Sequence, residues 1–168
     1  MMPTIMQPGD FGLVPHHSRV GRVEVWWCHS RFTHVVSGLE GGYLDATWPR
    51  LRKREADPME RYPLVVCSPE FTQGEREAVV KELEQEVGLP YSLAGLVLVG
   101  MAVRAPFLAP RLEPLGKRFP HRALVCSTAY TCAVARAGAE AYAKLRLPGH
   151  LMPHEVDPGH LAKAWGLI

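Results

Sequence analysis

The chain has 168 residues, 47% of them hydrophobic and 21% charged. Its length fits the ~100–200 residues of one domain, and its apolar content can fill one core, so a single domain over residues 1–168 is expected. With 19 Lys and Arg against 17 Asp and Glu, the net charge of +2 excludes the broad positive field that nucleic acid binding needs.

Residues 1–6 have neither the basic stretch nor the long apolar stretch of a secretory signal, so a cytoplasmic protein is expected. In that setting Cys28, Cys67, Cys126 and Cys132 are thiols rather than disulfides. Residues 9–14 (GDFGLV) read as a turn feeding a short apolar strand that Pro15 ends. Residues 18–27 space Val20, Val23, Trp26 and Trp27 as a short helix would. Two strand-like runs, residues 33–39 and 43–47, flank Gly41-Gly42 and predict a hairpin. Alternation along the first run puts Thr33, Val35 and Ser37 on one side and His34, Val36 and Gly38 on the other.

Residues 50–57 are highly charged, and Arg50, Arg52, Lys53 and Arg54 read as a solvated loop. Another apolar strand is expected over residues 62–68. Thr72-Gln73-Gly74-Glu75 has the form of a capping box, starting a helix that carries Val79, Val80, Leu83 and Val87 and stops at Gly88. The longest apolar stretch, residues 93–103, is about half of a membrane span's ~20 residues and reads as a buried helix, so no integral membrane segment is expected. Residues 105–120, with Pro106, Pro110, Pro114 and Pro120, read as an extended excursion. A short strand, residues 123–125, leads into an Ala-rich helical stretch, residues 126–145. Finally, Asp157-Pro158-Gly159 reads as a turn ahead of a short helix holding Leu161, Ala164 and Trp165. Strands and helices mix without repeats or heptads, which predicts an α+β domain with an antiparallel sheet.

The chemistry concentrates at Cys126. Where a strand meets a helix, the sulfur faces the unpaired N–H groups of the first turn, and their partial positive charge favours thiolate. A helix N-terminus and a neighbouring imidazolium together lower a cysteine pKa from about 8.5 to roughly 3.5–7.5. Cysteine also serves as a small buried hydrophobe, as Cys28, Cys67 and Cys132 are read here. His34 sits on a strand among apolar neighbours, where histidine is often a core or edge residue. Asp45, on the partner strand, is either a solvated acid near the turn or the acceptor that fixes an imidazole's tautomer. As a set, the three have the composition of a nucleophile, its base and an orienting acid.

Other signals carry less. Among eight histidines, His150, His154 and His160 lie close together, but Pro153 and Pro158 break the helix that would gather them and no CxxC accompanies them, so no metal is expected. Asp10-Phe11-Gly12 spells a kinase magnesium motif without a kinase's other loops. No phosphate-binding or dinucleotide fingerprint occurs, so no cofactor is expected.

Pro8-Gly9-Asp10-Phe11-Gly12-Leu13-Val14, Arg31-Phe32-Thr33-His34-Val35, Tyr43-Leu44-Asp45-Ala46, Leu89-Pro90-Tyr91 and Val125-Cys126-Ser127, in that order, resemble the circularly permuted, papain-like branch of the NlpC superfamily. The segment from Met152 to Leu161 is similar, more loosely, to that branch's Pro-x-x-Leu closing segment. The order is the discriminating feature, because His34 precedes Cys126, the reverse of ordinary papain-like enzymes. The chain departs from the pattern at Thr33 (usually serine), Asp45 (usually glutamate) and Ser92 (usually aspartate). The resemblance implies a small antiparallel sheet or half-barrel packed against helices. It also implies a Cys126–His34 pair oriented by Asp45, with Tyr91 donating to an oxyanion or lining the pocket. The activity it implies is thiol-dependent hydrolysis or acyl transfer on an amide, ester or thioester, with a small-molecule, peptide or lipid acyl substrate. Two other readings stand beside it: a non-catalytic binding or structural module, such as a phage or assembly component, and a lipid-surface protein using residues 93–103 and the basic cluster.

Overall fold

The β-branched and alternating segments of the first half of the chain assemble into one sheet. The computed structural model describes residues 6–15, 30–92, 125–149, 151 and 153–168, apart from the His154 side chain. Strands β1 (Phe11–Pro15), β2 (Phe32–Leu39), β3 (Gly42–Thr47), β4 (Arg50–Arg54) and β5 (Val65–Cys67) pair antiparallel in the order β4-β3-β2-β1-β5. The helices are α1 (Pro58–Arg61), α2 (Gln73–Gln85), α3 (Cys126–Ala137), α4 (Ala139–Ala143) and α5 (Pro158–Ala164), with a 3₁₀ turn at Pro153–Glu155. The architecture is mixed α+β around a small antiparallel sheet. The expected helices over residues 18–27 and 93–103, the excursion over 105–120, and Cys28 and His150 lie outside the described residues.

The sheet buries both faces unequally. One face carries Phe11, Leu13, Val35, Leu44, Ala46 and Leu51, and packs on Val79 and Leu83 of α2, Ala129 and Ala133 of α3 and Leu161 of α5. Each fully buried Leu, Val or Phe in such a layer contributes about 1.5–3 kcal/mol. The small side chains of Ala129 and Ala133 let α3 approach the strands closely. On the opposite face Val14, Val36 and Tyr43 form a smaller cluster with Tyr62, against which Met6 and Leu64 pack.

Several sequence expectations are corrected by tertiary structure. The hairpin forms, but its turn is Glu40–Gly41, with Gly42 already in β3. Alternation in β2 fails at its start: Val14 pairs with His34 and Pro15 with Phe32, leaving Thr33 without a partner on β1. This bulge turns Phe32 into the principal core while His34 shares the face of Val36. The basic cluster is not a loop but the edge strand β4, with Leu51 buried and Arg50, Arg52 and Lys53 exposed. Charged side chains on an edge strand keep it from pairing with other chains. The Ala-rich stretch is two helices, because Gly138 adopts φ 148°, a conformation open essentially to glycine. Pro158 and Gly159 belong to α5 itself, which Asp157 caps by accepting from the His160 N–H at 2.7 Å.

The capping box of α2 is built as its sequence requires. The Glu75 N–H donates to Thr72 Oγ1 at 3.3 Å, and the Thr72 N–H donates to Glu75 Oε2 at 2.6 Å. The helix ends at Gln85, ahead of Gly88. Gly38 is required by close approach, since a Cβ there would stand 2.1 Å from the Gln7 carbonyl oxygen. Among the described residues, no helix is long and apolar enough to cross a membrane.

Candidate active site

Local structure brings Cys126 to the mouth of α3. It is the first residue of the helix, and the N-cap is Val125, whose side chain has no oxygen with which to cap the first turn. Instead, Thr128 Oγ1 accepts from the Val125 N–H at 3.1 Å, fixing the entry of the chain. The N-terminal half of α3 is fastened from two further directions. Ser127 Oγ donates to the Val156 carbonyl at 2.6 Å and Thr131 Oγ1 to the Pro153 carbonyl at 2.6 Å. Tyr130, fully buried, donates to the Gly9 carbonyl at 2.9 Å, tying the helix to the lead into β1.

His34 and Asp45 meet because of register. Val36 pairs with Asp45 across β2 and β3, so His34, two residues before Val36, is the diagonal neighbour of Asp45 on the same face. His34 Nε2 lies 3.0 Å from Asp45 Oδ1, a full hydrogen bond despite the short aspartate side chain. The Cys126 thiol lies within electrostatic reach of the His34 ring and helps to raise its pKa. The three groups follow one another as Asp45, His34 and Cys126, with the acid sealed at 0% exposure and the imidazole 14% exposed.

Electrostatics follow from this geometry. Burial alone would favour the neutral His34 ring, but hydrogen bonds to Asp45 and Cys126 and their negative charge outweigh it, and its pKa is pushed up to about 10. For Asp45 burial alone would raise the pKa. The hydrogen bond and charge of His34, aided by the Arg61 charge and the Tyr62 hydroxyl, hold it below its ordinary value. Burial, then the Asp10 charge, pushes Cys67 up to about 12, and burial, then the Glu86 charge, pushes Cys132 up to about 11.

Tyr91 follows Pro90, which bridges to Arg50 at the start of β4, and its N–H donates to the Pro49 carbonyl at 3.0 Å. Its ring packs, partly buried, against the principal core. Sequence reasoning missed the groups behind Asp45. The Tyr62 hydroxyl donates to Asp45 Oδ2 at 3.2 Å, and Arg54 Nε lies 3.6 Å from the same oxygen. Arg61 Nε in turn donates to the Tyr62 hydroxyl at 3.0 Å. No spacing signal links residues 54, 61 and 62 to Asp45, because strand pairing and the fold-back after α1 make those contacts.

Among the described residues, no group of three or more His, Cys, Asp or Glu could hold a metal ion. No protein-family model matches this chain, and neither a curated protein nor a solved structure does.

Proposed function

We propose that this chain is a cysteine-dependent hydrolase or acyltransferase with a permuted papain-like fold, acting on an amide, ester or thioester through an acyl-enzyme on Cys126. The observation that carries the reading is the hydrogen bond from Asp45 to His34, with a cysteine at a helix N-terminus within electrostatic reach of that ring. His34, its pKa pushed up to about 10, holds a proton for the leaving group, and thiolate is the nucleophilic form of cysteine.

In the proposed reaction the Cys126 sulfur attacks the carbonyl carbon, forming a C–S bond and pushing the carbonyl electrons onto oxygen. The Cys126 N–H, uncapped at the head of α3, donates to that oxyanion, and a second donor is the part assigned to Tyr91. As the oxyanion collapses, the bond to the leaving group breaks and His34 gives that group its proton. The neutral ring then takes a proton from water as the water attacks the thioester, releasing the acid and restoring the pair. With another acceptor in place of water, the same steps transfer the acyl group. Asp45 keeps the ring oriented throughout. Free Cys67, Cys126 and Cys132 suit a reducing compartment such as the cytoplasm.

The test needs no substrate. In iodoacetamide at pH 6, followed by peptide mass spectrometry, Cys126 alkylates at least about tenfold faster than Cys67 and Cys132. Equal, slow labelling of all three would remove the enzyme reading and leave a non-catalytic module.

A further inference from the structure

Asp45 is held from behind by more than the imidazole it faces. Tyr62 is buried in the smaller cluster, its ring meets His34 edge-on with centroids 5.7 Å apart, and its hydroxyl reaches both Asp45 oxygens, at 3.2 and 3.4 Å. A tyrosine hydroxyl has one proton to give and accepts in return. Here the Arg61 guanidinium donates to it at 3.0 Å, so the proton of Tyr62 is directed to the carboxylate. The Arg61 guanidinium also sits 5.4 Å from the centre of the Tyr62 ring, so one cation steadies both ends of the side chain.

We propose that Tyr62 is a positioning residue for the site: its hydroxyl, oriented by Arg61, locks the Asp45 carboxylate so that the carboxylate in turn locks the His34 ring against the Cys126 sulfur. The inference rests on the functional reading above. A short carboxylate such as aspartate has one rotatable bond fewer than glutamate and sits deeper in the sheet. Its free oxygen needs a donor, and Tyr62 supplies it where water has no access. The charged and titratable groups around the pair are Cys126 from α3, Arg54 from β4, Tyr43 from β3, and Arg61 and Tyr62 at the end of α1. Of these, Tyr62 is the neutral donor within hydrogen-bonding distance of Asp45, and removing its oxygen leaves every formal charge in place.

The experiment is the pH profile of Cys126 alkylation by iodoacetamide in the full chain, for wild type, Tyr62→Phe, Asp45→Asn and the double variant. Tyr62→Phe keeps the buried ring, and a thermal melt alongside checks that the fold is intact. A ring no longer fixed beside the sulfur supports its reaction less, so the acid limb of the profile moves to higher pH and alkylation there slows about tenfold. In the Asp45→Asn background the same change adds nothing, which a purely structural role for Tyr62 would not produce. Arg61→Gln gives a smaller shift in the same direction. A Tyr62→Phe profile that superimposes on wild type, or a shift that persists without Asp45, would overturn the inference while fast wild-type labelling left the functional reading standing. A wild-type Cys126 that labels like an ordinary thiol would overturn both.

Discussion

Asp10 and Asp45 are both fully buried, and each carboxylate is met by a cation and a hydroxyl. Around Asp10 the partners are Arg76 Nη1 at 2.8 Å, Ser68 Oγ at 2.8 Å and the Gln7 N–H at 3.0 Å. Around Asp45 they are His34, Tyr62 and Arg54. The decisive difference is the third partner, a backbone N–H at Asp10 and the His34 imidazole at Asp45. A guanidinium keeps its proton at any accessible pH, so Asp10 closes a joint between the lead into β1, the segment after β5 and α2. An imidazole can release its proton, and this one lies within electrostatic reach of a thiol. The same residue type, equally buried, is thus a clamp in one place and, in the proposed function, the end of a proton-handling chain in the other.

The comparison can be broken by substitution. The largest effect is expected at the proposed nucleophile: Cys126→Ala lowers hydrolysis of an activated ester or thioester probe by about a thousandfold or more, with an unchanged melting curve. Next is Asp10→Ala, which leaves Arg76 without its buried partner and costs about 3–5 kcal/mol in chemical denaturation. Cys126 keeps its labelling profile in that variant, measured where the protein remains folded. His34→Ala removes the imidazole beside Cys126 and slows alkylation at pH 6 about a hundredfold. Asp45→Asn, which keeps the shape but removes the charge facing His34, slows it about tenfold. If Asp10→Ala altered Cys126 labelling as Asp45→Asn does, the division between clamp and site would be lost.

Much of the fold was legible. The hairpin of β2 and β3 is read from β-branched runs around glycine, and the start of α2 from Thr72 and Glu75, since both signals are local. What failed was decided at a distance. Arg50, Arg52, Lys53 and Arg54 look like solvated loop residues until β3 offers an edge for β4 to pair with. Gly138 looks tolerable inside an Ala-rich helix, yet it is where α3 ends and α4 begins. The bulge at Thr33 comes from register against β1, which the residues of β2 alone do not specify.

By itself the amino-acid order determined the residue types of the site: a cysteine at a helix start, a histidine on a strand and an acid on the strand beside it. These follow from period, caps and turns, which act over a few residues. Tertiary structure alone decided that Asp45 reaches His34, that Tyr62 and Arg54 stand behind it, and that the helix mouth comes within electrostatic reach of the ring. Those contacts join positions far apart in the chain, and their distances are set by strand register and by the packing of α3 on the sheet.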